Sequence, residues 1–157
     1  MKIKIAYHYP EIIGSLLCLL LGMLSGVGVE ASDMVWYNAL HKPVFNPPAW
    51  VFGPVWALLY LMIGVVLGRL WKDRKKNWHL IVVFIIQLMF NLLWSTLFFY
   101  CHRIGWALLD LSALWSSLVV FIVWALHQRV IMALFLPYFV WVSFALILNV
   151  SLYSMNG

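Results

Sequence analysis

The fold is decided by the run from Trp78 to Tyr100, which reads WHLIVVFIIQLMFNLLWSTLFFY and contains no Asp, Glu, Lys or Arg. As an α-helix, this run can cross a hydrocarbon core of roughly 30 Å, which takes about 20 residues. A helix satisfies its backbone hydrogen bonds within its own segment, as lipid requires, and the alternating pattern of a membrane β-barrel strand is absent. The run therefore predicts one transmembrane helix.

Four more apolar runs lie on either side of it, over residues of about 12–29, 51–68, 104–126 and 130–153. The whole chain is 66% apolar and 10% charged, with a mean hydropathy of +0.98. Ordinary soluble domains are about 45–50% apolar and about 25% charged. We therefore expect an all-α integral membrane protein, a bundle of five transmembrane helices with spans at about 12–29, 51–68, 78–100, 104–126 and 130–153. We expect residues 1–157 to form a single domain.

The start of the chain imitates a secretory signal, with Lys2 and Lys4 before an apolar stretch and small residues around Glu30. The polar segment 7–11 interrupts this pattern, and the apolar stretch is long for a signal. We therefore expect the first helix to be retained.

Lysine and arginine are distributed unequally between the two sides of the predicted bundle. One side holds Lys2, Lys4, Arg69, Lys72, Arg74, Lys75, Lys76 and Arg129, and the other holds only Lys42 and Arg103. Positively charged loops tend to stay in the cytoplasm. We expect a cytoplasmic N-terminus, with the run 72–76 touching anionic membrane lipid. The run is too short to predict nucleic-acid binding.

The residues typical of metal sites and catalytic sites are scattered. Cys18 and Cys101 form no Cys-x-x-Cys motif, and the five histidines include no pair three or four residues apart. Glycine-rich phosphate loops and Ser-His-Asp patterns are also absent from the sequence. We expect no metal site, no required cofactor and no self-sufficient catalytic site.

The segment between the first two predicted helices carries the densest functional signal. From Trp36 to Trp56 it reads WYNALHKPVFNPPAWVFGPVW, and seven aromatic rings fall between Trp36 and Tyr60. Its prolines at 43, 47 and 48 exclude a continuous helix. An interfacial belt explains one or two tryptophans at each helix end. A rigid loop this rich in rings favours a lid over a cavity between helices.

Ring and amide side chains recur at helical spacing on three predicted helices. The three stripes are Trp56 and Tyr60, then Gln87, Asn91 and Trp94, and finally Pro137, Trp141, Ala145 and Asn149. Amides within a span usually face the bundle interior. Gln87 and Asn91 either serve only as hydrogen-bonding links between helices or help to line a pocket. Combined with the lid, the stripes favour a pocket for a flat aromatic ligand.

These motifs resemble the translocator protein family, also called TspO, tryptophan-rich sensory proteins or peripheral benzodiazepine receptors. The resemblance rests on Trp36-Tyr37-x-x-Leu40-x-Lys42-Pro43-x-Phe45-x-Pro47-Pro48-x-Trp50-x-Phe52, on Trp56-x-x-x-Tyr60, on Gln87-x-x-x-Asn91-x-x-Trp94, and on Pro137-Tyr138-x-x-Trp141-x-x-x-Ala145-x-x-x-Asn149. It covers nearly the whole chain.

The resemblance implies a five-helix bundle, often dimeric, that binds tetrapyrroles such as protoporphyrin IX. Some members of the family also bind cholesterol and benzodiazepine-type drugs, so the resemblance extends the expected ligands to these classes. By position, it implies a pocket lined by Tyr37, Pro47, Trp56, Gln87, Asn91, Trp141 and Ala145. The loop and the stripes add Trp50, Tyr60, Trp94 and Asn149 as candidate ligand-binding residues. In porphyrin-degrading relatives, the tryptophans that match Trp56 and Trp141 are implicated in the reaction.

Three functions remain open at this point. They are a tetrapyrrole-binding sensor or regulator, a light-dependent porphyrin-degrading enzyme, and a transporter of tetrapyrrole or lipid. No Lys or Arg follows Tyr153, so the C-terminal cholesterol-recognition pattern of animal members is absent. A bacterial-type member is therefore expected.

Two further features concern assembly and charge. Gly22-x-x-x-Gly26 and Gly64-x-x-x-Gly68 suit either packing within the bundle or a dimer face. Together with the resemblance, they lead us to expect a homodimer. Asp110 lies near a predicted helix start, which favours a partner for the helix dipole over a proton relay.

Overall fold

The computed structural model describes the backbone of residues 2–30 and 34–157, and the side chains of residues 8–27 and 34–157. Its helices are α1 (Lys2–Glu30), the short α2 (Met34–Ala39), α3 (Ala49–Lys72), α4 (Arg74–Ser95), α5 (Ile104–Ala125) and α6 (Arg129–Asn156). A π-helical turn, Thr96–Tyr100, continues α4.

Five of these helices are long and apolar enough to cross a membrane. The spans are His8–Val27, Ala49–Lys72, Arg74–Tyr100, Ile104–Ala125 and Arg129–Asn156. The prediction of an all-α membrane protein with five spanning helices is confirmed, and each boundary falls within four residues of the predicted one. Several helices run past their apolar segment because Lys and Arg are good helix formers whose long side chains reach the interface. The chain is thus a multi-pass integral membrane protein.

The five spans form a closed ring. α1 packs along α3, α3 contacts α6, α6 contacts α5, and α5 contacts α4, which also touches α3 and α1. Large rings such as Phe84, Phe121 and Phe135 fill the centre and are fully buried. A smaller core around Phe98 and Leu148 lies beneath α2.

Glycines allow α1 and α3 to approach closely. A Cβ atom added at Gly64 would lie 2.5 Å from the carbonyl oxygen of Gly14, and one added at Gly68 would lie 2.3 Å from a carbonyl oxygen of α1. A Cβ atom at Gly22 would lie 2.2 Å from the ring of Tyr60. Small residues of this kind are typical of tightly packed membrane helices. The glycines therefore hold α1 against the bundle.

This packing shows which glycines of the two Gly-x-x-x-Gly motifs make contacts within the bundle. Gly22, Gly64 and Gly68 pack within the chain, whereas an added Cβ at Gly26 would have no atom of the described residues within 4 Å. The close approach between α1 and α3 already occupies the first three. A homodimer stays a prediction, and these three glycines do not supply its interface.

The end of α4 is shaped by its π-helical turn. The amide of Cys101 donates to the carbonyl of Thr96 at 2.9 Å, and the amide of Arg103 donates to the carbonyl of Leu97 at 2.9 Å. His102 then takes a φ of 53°, in the left-handed region that few residues other than glycine adopt. Its ring stacks on Trp36 with centroids 4.2 Å apart. The contact between Trp36 and His102 thereby joins α2 to the end of α4.

Candidate functional site

A hydrogen-bond network at the centre of the bundle joins three helices. The hydroxyl of Tyr60 on α3 donates to Oδ1 of Asn91 on α4. Asn91 Nδ2 donates to the hydroxyl of Tyr138 on α6 at 2.9 Å, and that hydroxyl donates to Gln87 Oε1 at 2.6 Å. All four side chains are buried. Inside a membrane such pairing is required, because an unpartnered polar group there is costly.

Aromatic rings surround this network. The ring of Trp56 has its centroid 5.5 Å from Tyr60, 6.3 Å from Tyr138 and 6.5 Å from Trp141. The last two pairs meet edge to face, a favourable geometry for aromatic rings. The sequence placed Trp56 and Tyr60 on one stripe and Trp141 on another, and the packing of α3 against α6 brings the two stripes together.

A chain of rings continues outward from Trp141 to the proline-rich loop. Trp141 lies 5.9 Å from Phe52 and 5.6 Å from Phe144, and Phe144 lies 6.4 Å from Phe45 of the loop. We call these rings the aromatic cluster, which consists of Phe45, Phe52, Trp56, Tyr60, Tyr138, Trp141 and Phe144. It runs without a break from the buried network to the loop.

The loop itself is tied to the end of α6. The amide of His41 donates to Asn156 Oδ1 at 2.9 Å, and Asn156 Nδ2 donates to the carbonyl of His41 at 2.9 Å. Pro43 is buried. Two reciprocal hydrogen bonds and the Phe45 contact therefore hold the loop over the outer part of the aromatic cluster.

Several buried polar atoms on α4 and α6 make no hydrogen bond within the described part of the chain. They are Gln87 Nε2, Trp94 Nε1, Trp141 Nε1, and both Nδ2 and Oδ1 of Asn149. Gln87 is fully buried and Asn149 is 1% exposed. Most buried polar groups in proteins have a partner, so each exception calls for an explanation. Four of these five atoms are N–H donors, and the fifth, Asn149 Oδ1, is an acceptor.

Tyr37 and Trp94 belong to a second group of rings. The Tyr37 ring lies 5.6 Å from Phe99, and Trp94 stacks on Phe98 at 5.1 Å. Lys42 Nζ lies 4.5 Å from the centre of the Tyr37 ring. Burial raises the pKa of the Tyr37 phenol. This group packs beneath α2, beside the aromatic cluster.

The remaining predicted site residues lie in different surroundings. Ala145 is partly buried and packs against the main core on α6, and Pro47 is partly buried in the loop. Trp50, by contrast, is 75% exposed at the start of α3. The structure does not bring Trp50 into the aromatic cluster, and its position suits an anchor at the membrane interface.

Two details differ from the sequence interpretation of α6 and α5. Pro137 is exposed, and its neighbour Tyr138 takes the interior position. The reason is geometric, since each step of four residues rotates 40° past a full turn and a long stripe drifts off one face. Asp110 is buried beyond the first turn of α5, where the helix dipole has little effect, and its Oδ2 makes no hydrogen bond within the described chain.

Tyr138 is the central residue that sequence reasoning missed. It was present in the Pro137-Tyr138 motif, but a tyrosine in a span is usually assigned to the interface. The available signal was its spacing, because Tyr138 lies three residues before Trp141 and so shares its helix face.

Two cavities lie at opposite ends of the bundle. One has a volume of about 490 Å³ between the start of α5 and the end of α6. The other has a volume of about 870 Å³ and is lined by the ends of α1, α3 and α6. Neither is lined by the aromatic cluster, whose rings pack against one another.

The sequence is similar to known proteins of one family. Residues 14–154 match the TspO/MBR family. The chain is 36% identical over 149 residues to the tryptophan-rich protein TspO of Archaeoglobus fulgidus, covering 94% of this chain and 97% of that protein. It is 32% identical over 133 residues to the translocator protein of Homo sapiens, covering 82% and 79%. It is 33% identical over 123 residues to the tryptophan-rich sensory protein of Cereibacter sphaeroides, covering 77% of each.

Proposed function

This chain belongs to the TspO/MBR family, and on that premise we propose that it is a membrane sensor that binds a tetrapyrrole such as protoporphyrin IX. The sensory role is taken from the Cereibacter sphaeroides relative, which is named a tryptophan-rich sensory protein. The ligand site is the aromatic cluster between α3, α4 and α6, beneath the proline-rich loop.

The observation that carries this proposal is that aromatic rings occur together with buried donors that have no partner in the described chain. Trp56 and Trp141 offer ring faces, and Trp141 Nε1 and Gln87 Nε2 offer buried N–H groups that make no hydrogen bond within the described chain. A tetrapyrrole presents a flat aromatic face and carboxylate acceptors. Stacking would bind the macrocycle, and the donors would orient its polar groups.

Binding of the ligand would also change the contacts of the proline-rich loop at the outer surface. The ligand would replace contacts between rings, and the contacts of Trp141 with Phe144 and of Phe144 with Phe45 lead directly to the loop. Ligand occupancy would then change how the loop sits against Asn156. This link between the buried site and the loop is the route by which a sensor would report its ligand.

The proposal is tested by titrating protoporphyrin IX into the purified full-length protein in nanodiscs and following porphyrin absorbance. We expect Trp141→Phe to weaken binding about tenfold, because it removes the indole donor and part of the stacking face. Trp124→Phe is the matched control, since Trp124 is half-exposed on α5 and contacts His79 outside the aromatic cluster. Equal affinity in all three proteins, with the variants folded, would show that the site is elsewhere.

A second candidate is light-dependent porphyrin breakdown, with the bound porphyrin as photosensitiser. It is favoured by the contact of Trp56 with Trp141 at 6.5 Å, which would let the two rings stabilise or relay a radical. Illuminating the complex and recording its spectrum separates the two candidates. Light-driven conversion in the wild type that is lost in the double variant Trp56→Phe/Trp141→Phe, at saturating porphyrin, would favour the enzyme. A stable spectrum in the wild type would favour the sensor. Transport of tetrapyrrole or lipid stays a prediction.

A further inference from the structure

The larger cavity lies at the opposite end of the bundle from the proline-rich loop. Its volume is about 870 Å³, and residues from α1, α3, α4, α6 and the adjoining loops line it. We call it the basic cavity. Its charged walls contain four Arg and Lys side chains against two carboxylates, namely Arg69, Lys72, Arg74, Arg129, Glu11 and Asp73. The surplus of positive charge attracts anions.

One of the carboxylates is already neutralised. Lys72 Nζ lies 2.6 Å from Glu11 Oε1, and Glu11 is 7% exposed. The pair packs at the wall where α1 meets α3. Asp73 is exposed. The basic cavity therefore presents three arginines, Arg69, Arg74 and Arg129, against the one remaining carboxylate of Asp73.

The surroundings of Arg69 suit a side chain that binds an anion. Its Nε is buried and makes no hydrogen bond within the described part of the chain. Among the described carboxylates, none lies within ion-pair distance of Arg69 or Arg129. A buried, unpartnered guanidinium nitrogen is costly, and the planar guanidinium group matches the oxygen atoms of a phosphate in pairs.

Apolar side chains form the rest of the rim. Trp71 and Val130 are each 52% exposed beside the basic cavity, and Ile131 is buried in its wall. The guanidinium of Arg74 lies 5.8 Å from the centre of the Trp71 ring. A rim of this kind suits a molecule with a charged head and a hydrocarbon part.

We propose that the basic cavity binds a phosphate ester, with Arg69 and Arg129 holding its oxygen atoms. The apolar rim favours the headgroup of an anionic phospholipid as the source of the phosphate. The site is distinct from the aromatic cluster and does not depend on tetrapyrrole binding. It also differs from general attraction of anionic lipid to the charged run 72–76, because it requires the particular arginines that line the cavity.

The test is native mass spectrometry of the purified full-length protein with phosphatidylglycerol or phosphatidylcholine. We expect phosphatidylglycerol to be retained and phosphatidylcholine to be lost. Arg69→Gln and Arg129→Gln should each lower the affinity for phosphatidylglycerol about tenfold, and Arg69→Lys should lower it less. Lys75→Gln is the matched control, because it removes one positive charge at the same end of the bundle but Lys75 is exposed and does not line the cavity.

Competition identifies the source of the phosphate. If inorganic phosphate at millimolar concentration displaces phosphatidylglycerol, the site accepts a soluble phosphate; if it does not, the lipid headgroup is the ligand. Arg129 is exposed, so Arg129→Gln remains informative even if Arg69→Gln fails to fold. The proposal is overturned if Lys75→Gln weakens binding as much as Arg129→Gln, or if both lipids are retained equally.

Discussion

At the scale of single residues, the centre of the molecule depends on one hydroxyl group. The hydroxyl of Tyr138 accepts from Asn91 and donates to Gln87, so it joins α4 to α6 at two points. Both polar atoms of the Asn91 side chain are hydrogen-bonded in this network, whereas Gln87 keeps an unpartnered Nε2 within the described chain. Both amides therefore link helices, and whether they also line a ligand pocket stays a prediction. Asn91 links helices, and Gln87 both links helices and offers a donor.

The network predicts a loss of stability when that hydroxyl is removed. Tyr138→Phe leaves Asn91 Nδ2 and Gln87 Oε1 buried without partners, which costs about 1–3 kcal/mol for each unsatisfied group. We expect a clear fall in the thermal unfolding midpoint in a fixed detergent. Tyr100→Phe, which removes a hydroxyl from an exposed ring, should leave the midpoint unchanged. An unchanged midpoint for Tyr138→Phe would contradict the network.

Ala145 supplies a second prediction at this scale. It lies one turn from Trp141 on α6 and is partly buried against the core. Ala145→Thr adds bulk and a hydroxyl beside the aromatic cluster, which in a packed site costs about 1–3 kcal/mol. We expect protoporphyrin IX affinity to fall about tenfold in the absorbance titration. Ala133→Thr makes the same change at an exposed position of α6 and should not alter the affinity.

At the scale of elements, the close crossing of α1 and α3 depends on glycines, which have no side chain to hold the two helices apart. Gly68→Ala places a Cβ 2.3 Å from a backbone carbonyl of α1, so the two helices must separate. We expect destabilisation of about 1–3 kcal/mol, measured as resistance to unfolding by detergent titration. Gly53→Ala, also on α3, places its Cβ in open space and should be neutral or slightly stabilising, because alanine is the better helix former. Equal stability of the two variants would refute the close crossing.

At the scale of the whole molecule, the distribution of charge predicts orientation in the membrane. The charged run 72–76, where α3 ends and α4 begins, lies at the basic end and Phe45 lies at the opposite end, so we expect the first to be cytoplasmic and the second external. In a background of Cys18→Ala and Cys101→Ser, an impermeant thiol reagent on intact cells should label Phe45→Cys and spare Lys75→Cys. Labelling of Lys75→Cys but not of Phe45→Cys would show that the protein has the opposite orientation. Replacing Cys101 is essential because its thiol is exposed.

The sequence by itself determined the five spanning helices and their limits. Transfer of a segment into lipid depends on the side chains of that segment alone, so runs such as 78–100 could be recognised without knowing their neighbours. The same local logic placed Trp56, Gln87 and Trp141 on helix faces. Motif spacing also indicated the family, and that indication is confirmed.

Only the tertiary structure decided how those faces meet. It placed Tyr138 rather than Pro137 in the interior, left Trp50 exposed, and packed Gly64 against α1 within the chain. It also brought Arg69 and Arg129 to one cavity from distant parts of the sequence. These outcomes depend on the rotation of each helix about its axis and on the closeness of each crossing. Both are set by packing between helices, which no single segment encodes.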